Sequence, residues 1–363
     1  MTRILIGSAG RRVYLVEWFR QALRRCEVIG EVHITDHNPM AATTAFADAS
    51  HVVPRYADPD YPRAMADLVD RIAPDLYFSL NDHELFAMAG PLADRLRQTG
   101  CRVLSLSVES QRVVTDKYAM ASALAGCGVL TPPTVLAGDS EGLRRMAALS
   151  RSLIVKRRFG SGSVGLHRVD AAQADLVVSG LARHGSPVAS EWIVQPEITG
   201  CHYGLDIVTG LRGGRRPVAV LAREKVAMRS GEANVATTVD PAPFHALAEA
   251  LTGLLEPQGL IDVDVVDAGG QFFVLDINPR FGGGYPFNHQ AGADVPAFYV
   301  ADLHGMAPPP GWAEYEIGRT VAKYDSLAVL ADRGTSSPGA RPSYEPQAPN
   351  PCTAVDQSST VGV

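Results

Sequence analysis

Hydrophobic residues change their spacing several times along this chain, and the changes divide it. From residue 1 to 108, short β-rich runs alternate with helical stretches. Arg3–Ile6 reads as a strand, Val13–Arg25 carries Leu15, Phe19, Ala22 and Leu23 at helical spacing, and Val32–Thr35, Asp75–Leu80 and Arg102–Leu106 read as further strands. A helix follows Asn81-Asp82-His83-Glu84 and runs to Arg97. This alternation predicts a parallel sheet with crossover helices, whose ligand loops lie beyond the carboxyl ends of the strands. Three loops fall there: Ser8–Arg12, Asp36–Asn38 and Asn81–Glu84.

The pattern then shifts. Ser110–Ala125 predicts one helix with Thr115-Asp116-Lys117 inside it, and Thr131-Pro132-Pro133-Thr134 breaks the chain. A domain boundary near 108 fits both signals. Strands dominate afterwards: Leu153–Arg158, Leu166–Val169, Ser190–Val194, Cys201–Val208 and Arg216–Lys225. Pro243–Gln258 is helical, a helix starts near Ala297 and ends near His304, and Ile317–Tyr324 reads as a late strand. Beyond Leu330, Pro, Ser, Gly and Gln prevail over large apolar residues, so 331–363 is predicted to be a disordered tail.

The most informative stretch is Leu260–Gly284, where two β-rich runs, Leu260–Val266 and Gln271–Ile277, flank Asp267-Ala268-Gly269-Gly270. Asp276 and Asn278 are two apart on a strand and share a face. Whether Asp264 joins them depends on register. Pairing Val266 with Gln271 separates Asp264 from Asp276; pairing Asp267 with Gln271 around an Ala-Gly-Gly loop with a glycine bulge unites all three. The second register is adopted here. Two carboxylates and an amide are hard oxygen ligands that suit Mg²⁺, with Mn²⁺ as an alternative, and Arg280 follows them at once.

Two upstream features bear on that site. In Leu153–Arg158, Lys156 precedes Phe159-Gly160-Ser161-Gly162-Ser163-Val164-Gly165, a loop rich in backbone N–H donors suited to covering phosphate oxygens. It joins strands and lacks GK[ST], so it is not a Walker A loop. GSAGRR lacks the third glycine of a dinucleotide fingerprint, which argues against NAD; Arg11 and Arg12 at a helix start instead suit an anion or a carboxylate.

Composition narrows the class. The chain of 363 residues is 46% hydrophobic and 20% charged, with net charge −6 and no long basic run, which argues against nucleic acid as a partner. No apolar run reaches the length of a membrane span and MTRILIGSAG is not a signal peptide, so the expectation is a cytoplasmic protein without a membrane partner. Five scattered cysteines form no CxxC pair, and the histidines show no HExxH spacing, which excludes a zinc cluster or a disulfide framework.

Taken in order, SAGRR, Asp116-Lys117, VKRRFGSGSVG, IVQPEITG and DVDVV…VLDINPR resemble the ATP-grasp superfamily of carboxylate–amine ligases over about residues 1–325, and within it the stand-alone group similar to the carbamoyl-phosphate-synthase large subunit. The resemblance implies an α/β protein: a Rossmann-like parallel-sheet domain at 1–108, then a two-lobed α+β ATP-grasp domain at 109–330 with its lid lobe at about 133–195. It implies that Lys117, Lys156 and Gly160–Gly165 (Gly160, Ser161, Gly162, Ser163, Val164, Gly165) contact ATP phosphates. Gln195, Pro196, Glu197 and Ile198 would line the adenine, with His202 near the ribose. Asp264, Asp276 and Asn278 would hold Mg²⁺, although the family usually has glutamate or glutamine at the two aspartate positions. Arg280 and Lys156, with Arg229 or Lys225 as a further candidate, would face the transferred phosphoryl group or the acyl phosphate. Arg11, Arg12, Asp82, Glu84 and His289 are the candidate substrate contacts. The implied activity joins a small carboxylate, such as an amino acid, to an amine through an acyl phosphate; a homodimer is compatible with it. The rival readings are an enzyme that phosphorylates a carboxylate or carbamate and passes it on, and a nucleotide-binding regulator.

Overall fold

Strands that are apolar on both faces assemble into a sheet covered by helices. In the computed structural model, which describes residues 1–88, 90–160, 165–183 and 188–330, the first such sheet is built by β1 (Thr2–Gly7), α1 (Val13–Arg25), β2 (Gly30–Asp36), β3 (Ala49–Val52), α2 (Tyr61–Ile72), β4 (Leu76–Ser79), α3 (Asp82–Met88), α4 (Pro91–Gln98) and β5 (Arg102–Val103). It is parallel throughout, in the order β3-β2-β1-β4-β5. The helix expected from the Asn81 turn to Arg97 is two helices, because Gly90 at φ +81° and Pro91 stop the first and start the second. The loop after β1 is tied down by Asp36, whose carboxylate accepts from Gly10 N–H at 2.8 Å and from Asn38 N–H at 2.8 Å.

Two helices follow, α5 (Val108–Thr115) and α6 (Lys117–Gly126). The single helix expected over Ser110–Ala125 breaks at Asp116, which leaves helical geometry and caps α6 by accepting from Tyr118 and Ala119 N–H. Lys117 therefore opens a helix rather than riding on the middle of one.

A small antiparallel sheet comes next, ordered β6-β9-β7-β8 and formed by β6 (Val135–Leu136), α7 (Ser140–Leu149), β7 (Ser152–Arg157), β8 (His167–Asp170), α8 (Ala174–Arg183), α9 (Val188–Glu191) and β9 (Trp192–Pro196). Leu153, Val155, Trp192 and Val194 face α7 through Leu143 and Met146. Lys156, one residue on from Val155, points to the opposite face.

The last sheet has six strands in the order β14-β13-β10-β11-β12-β15, from β10 (Cys201–Val208), β11 (Ala219–Arg229), β12 (Glu232–Val239), β13 (Leu260–Asp267), β14 (Phe272–Asn278) and β15 (Thr320–Ala322), with α10 (His245–Leu255), α11 (Tyr285–Gln290) and α12 (Val295–Leu303). Alternation divides its faces. Leu205, Ile207, Ala222, Val263, Val265 and Ile277 pack beneath Phe244, Ala248 and Leu251 of the α10 region. The other face carries Asp206, Arg223, Lys225, Asp262, Asp264, Asp276 and Asn278. A second core joins this sheet to the first: Ile4, Phe19 and Phe78 pack with Leu221, Phe281, Tyr285 and Tyr299. Met1–Ala328 accordingly form one compact unit. The expected tail, 331–363, lies outside the described residues. Among the described residues no helix is long and apolar enough to cross a membrane.

Candidate functional site

The polar face of the six-stranded sheet depends on a bulge. Near the turn Asp267 pairs with Phe272, and Ala268 N–H donates to Gln271 across a loop in which Gly269 and Gly270 take positive φ. Continued unbroken, that register would set Leu275 opposite Asp264 and turn Asp276 and Asn278 toward the α10 core. Instead the ladder shifts between Val274 and Asp276, so Asp264 pairs directly with Asp276 and Asp262 with Asn278. The shared face expected from the sequence is present. The register adopted for it is not: Asp267 pairs with Phe272 rather than Gln271, and the bulge lies within β14 at Leu275 instead of at the loop glycines.

Four carboxylates and one amide thus crowd one surface, and cations balance them. Lys117 Nζ lies 2.6 Å from Asp276. Lys225 pairs with Asp264, whose carboxyl burial would push up; Lys225, Arg223 and Lys117 together hold it below the usual carboxylate range. Arg223 is fully buried and bonds Asp206, Asp262 at 2.7 Å and the Asn288 amide oxygen at 3.2 Å. Burial raises Asp206 to about 7 despite that guanidinium. Lys156 is within electrostatic reach of Asp276, Lys117 and Asp264; burial pushes its ammonium down to about 8, Lys117 adds to the depression and the aspartates oppose it.

The turn after β14 explains its glycines. A Cβ at Gly284 would collide with the Arg223 guanidinium, one at Gly282 with the Asp262 carboxylate, and one at Gly283 would come within 2.8 Å of Glu232. Backbone passes where no side chain fits. Beyond the turn, Arg280 extends to the first sheet and donates to Asp82 at 2.7 Å. Burial opposes the charge of Arg280, yet Asp82 holds its guanidinium above the ordinary value. A cleft at the edge of this face is lined among others by Asp82, His83, Lys117, Gly160, Asp276 and Asn278.

Other expected residues are distributed unevenly. Gly160 reaches the cleft; Gly165 is a turn residue at φ +74° two positions before β8, and Ser161, Gly162, Ser163 and Val164 lie outside the described residues. Gln195 and Pro196 are buried at the end of β9, Gln195 donating to Thr134 Oγ at 2.7 Å. Glu197 pairs with Arg168, and Ile198 follows half-buried. His202 lies at the exposed start of β10; partial desolvation of its ring and the nearby Lys225 ammonium lower its pKa. Arg12 donates to Glu232 at 2.8 Å and to Tyr14 Oη at 2.9 Å, while the exposed Arg11 lies 3.8 Å from Glu232.

Three candidates are committed elsewhere. Glu84 is buried, accepting from the Tyr61 and Ser79 hydroxyls, and burial raises its carboxyl; it braces the first sheet instead of facing the cleft. His289 stacks on Trp18 at 3.7 Å between α1 and α11. Arg229 sits at the exposed tip of β11 and pairs with Asp325 at 2.9 Å. Asp262, Asp206, Arg223 and His83 are further residues at the site. Two of them carried a signal in the sequence: Asp262 through its spacing of two from Asp264, and His83 through its place in the Asn81–Glu84 loop.

The oxygen set fits Mg²⁺ on donor chemistry. Among the described residues no group of three or more His, Cys, Asp or Glu side chains is gathered as a metal cluster. Two carboxylates and an amide leave the remaining positions to water and phosphate, as Mg²⁺ prefers.

Residues 114–284 match the model of the ATP-grasp domain, and residues 4–104 that of the PylC-like N-terminal domain. The chain thus carries an ATP-grasp domain preceded by a PylC-like N-terminal domain. Among solved structures it is similar to biotin carboxylase from Campylobacter jejuni (14% identity, TM-score 0.67, 88% of this chain and 74% of that one). It is also similar to N5-carboxyaminoimidazole synthetase from Staphylococcus aureus in complex with ADP (15% identity, TM-score 0.64, 85% and 78%). A third is the biotin carboxylase domain of the Hydrogenobacter thermophilus 2-oxoglutarate carboxylase (13% identity, TM-score 0.67, 88% and 73%). At these identities the likeness is one of fold. No curated protein matches the chain.

Proposed function

We propose that this protein is an ATP- and Mg²⁺-dependent ligase that joins a small carboxylate, such as an amino acid, to an amine through an acyl phosphate. The observation that carries the reading is the convergence of Lys117, Asp276, Asn278 and Gly160 on one cleft, with Arg280 anchored beside it by Asp82. In this reading Lys117 and Lys156 bind the ATP phosphates, and 160–165 covers them. Gln195–Ile198 takes the adenine, with His202 toward the ribose. Asp264, Asp276 and Asn278 hold Mg²⁺, which when bound screens phosphate charge. Arg280 balances the charge that develops as the carboxylate oxygen attacks the γ-phosphorus. Arg11 and Arg12 offer guanidinium groups to a substrate carboxylate. The working division is 1–108 and 109–330, with the lid lobe at about 133–195.

A second reading, phosphorylation of bicarbonate or a carbamate, draws support from the Hydrogenobacter relative, whose described complex contains MgADP and bicarbonate. One assay separates them. Protein, Mg·ATP and hydroxylamine are incubated with a library of carboxylic acids or with bicarbonate, and ADP and hydroxamate are measured. Acid-dependent ADP release with a matching hydroxamate is expected. ADP release that depends on bicarbonate alone favours the second reading, and none under any condition overturns both.

A further inference from the structure

We propose that His83 is the base that takes the proton from the incoming amine. The inference rests on the ligase reading above and assigns a residue to its second half-reaction. His83 lines the same cleft as Lys117, Asp276 and Asn278, but it comes from the start of α3, beside the first sheet. It directly follows Asp82, whose carboxylate holds Arg280 at 2.7 Å. An acyl group balanced by Arg280 is therefore adjacent to the turn that carries the imidazole.

The turn is rigidly made. Asn81 Oδ1 accepts from His83 N–H at 2.9 Å, and the ring stacks on Tyr56 with centroids 5.4 Å apart and planes at 14°. The ring is thus oriented, yet neither of its nitrogens has a hydrogen-bond or ion-pair partner among the described residues. Alternative bases on the cleft wall are occupied. Asp82 is committed to Arg280 and Asp276 to Lys117 at 2.6 Å, while Gln111 and Thr115 cannot accept a proton at neutral pH. An oriented histidine with free nitrogens is the side chain most often used for this task.

The step balances as follows. The neutral amine adds its lone pair to the acyl carbonyl carbon, and the nitrogen of the adduct becomes positively charged. Its N–H proton passes to a ring nitrogen of His83 as the carbon–oxygen bond to phosphate breaks. That bond's electron pair leaves with phosphate, and His83 later returns the proton to solvent.

The test uses the full chain with whichever acid yields a hydroxamate, and compares hydroxylamine with ammonia and the twenty amino acids as acceptors. Hydroxylamine is largely unprotonated at neutral pH and a strong nucleophile, so it needs little help from a base. His83→Gln is expected to leave hydroxamate formation and the affinity for a non-hydrolysable ATP analogue within about twofold of wild type. Amide formation should fall on the order of 100-fold. His83→Ala should fall likewise and recover with added imidazole, which a folding defect would not do. Wild-type amide rates in both variants, a parallel loss of hydroxamate and amide, or a wild type that forms hydroxamate but no amide with any acceptor would each overturn the assignment. Absence of acid-dependent hydroxamate in the wild type removes the ligase reading itself, and is distinguishable from all three.

Discussion

Lys156 shows how a single side chain is tuned by where its strand places it. Its neighbours on β7, Val155 and Leu153, anchor the small sheet's core, so alternation sends the ammonium to the opposite face with Asp276, Asp264 and Lys117 in reach. Burial outweighs the aspartates and brings its pKa down to about 8. The charged form dominates below that pH, and phosphate oxygens favour the charged form. Affinity for a non-hydrolysable Mg·ATP analogue should therefore be high at pH 7 and decline as pH rises through about 8. Lys156→Ala should weaken binding roughly 10- to 100-fold at pH 7, in line with a lost charge-assisted hydrogen bond of about 1.5–3 kcal/mol, and flatten the profile. Calorimetric titrations between pH 7 and 9 measure both effects. A wild-type affinity unchanged across that interval would remove Lys156 from the phosphate site.

Among elements, the junction of α6 with β7 matters most. Asp116 caps α6, whose first residue is Lys117, and its carboxylate also receives Arg158 Nε at 2.7 Å; Lys117 N–H in turn donates to Arg158 O at 3.1 Å. Helix start and glycine-loop entry are one assembly. Asp116→Ala should cost about 1 kcal/mol of stability through the lost cap and weaken binding of the ATP analogue. Asp116→Ser restores a cap oxygen without the carboxylate for Arg158, so stability should recover while affinity stays low, as followed by urea unfolding and titration. Recovery of both would mean that the Arg158 pair does not position Lys117. The sequence made part of this legible. Val13–Arg25 was readable from the helical spacing of its apolar residues, and Cys201–Val208 and the β13–β14 pair from their alternation. The helix break at Asp116 was not read, because apolar spacing continues across it and only the capping aspartate marks the interruption. The Leu275 bulge left no local sign: its evidence is the pairing of β14 with β13, set by the sheet. Nothing within the Arg216–Lys225 strand marks Arg223, since its burial depends on three strands and the Gly282–Gly284 turn meeting at one place.

At the scale of the whole molecule, the cleft exists only because the first sheet and the six-stranded sheet are held together, and His289 lies in that seam. Trp18 of α1 stacks on it at 3.7 Å, Tyr285 Oη shares a hydrogen bond of 3.0 Å with its Nδ1, and the Arg25–Asp294 pair closes the edge at 2.7 Å. Burial brings the imidazole down to about 4; Asp294 favours its charge and Arg25 opposes it. The sign of the linkage follows. Between its ordinary value of 6.5 and about 4, the unfolded chain binds a proton at this residue that the folded chain does not. Stability contributed by neutral His289 is thus complete above 6.5 and is lost as pH falls toward 4, at most about 3 kcal/mol in total. His289→Phe keeps a ring against Trp18 and cannot titrate. It should carry a constant penalty for the lost Tyr285 bond but a shallower decline in unfolding free energy between pH 7 and 5, measured by urea denaturation. Other acidic groups act alike in both proteins and cancel in the difference. Equal slopes would show that the seam is insensitive to this imidazole, and that the hydrophobic contacts of Phe281, Tyr285 and Tyr299 hold the two sheets without it.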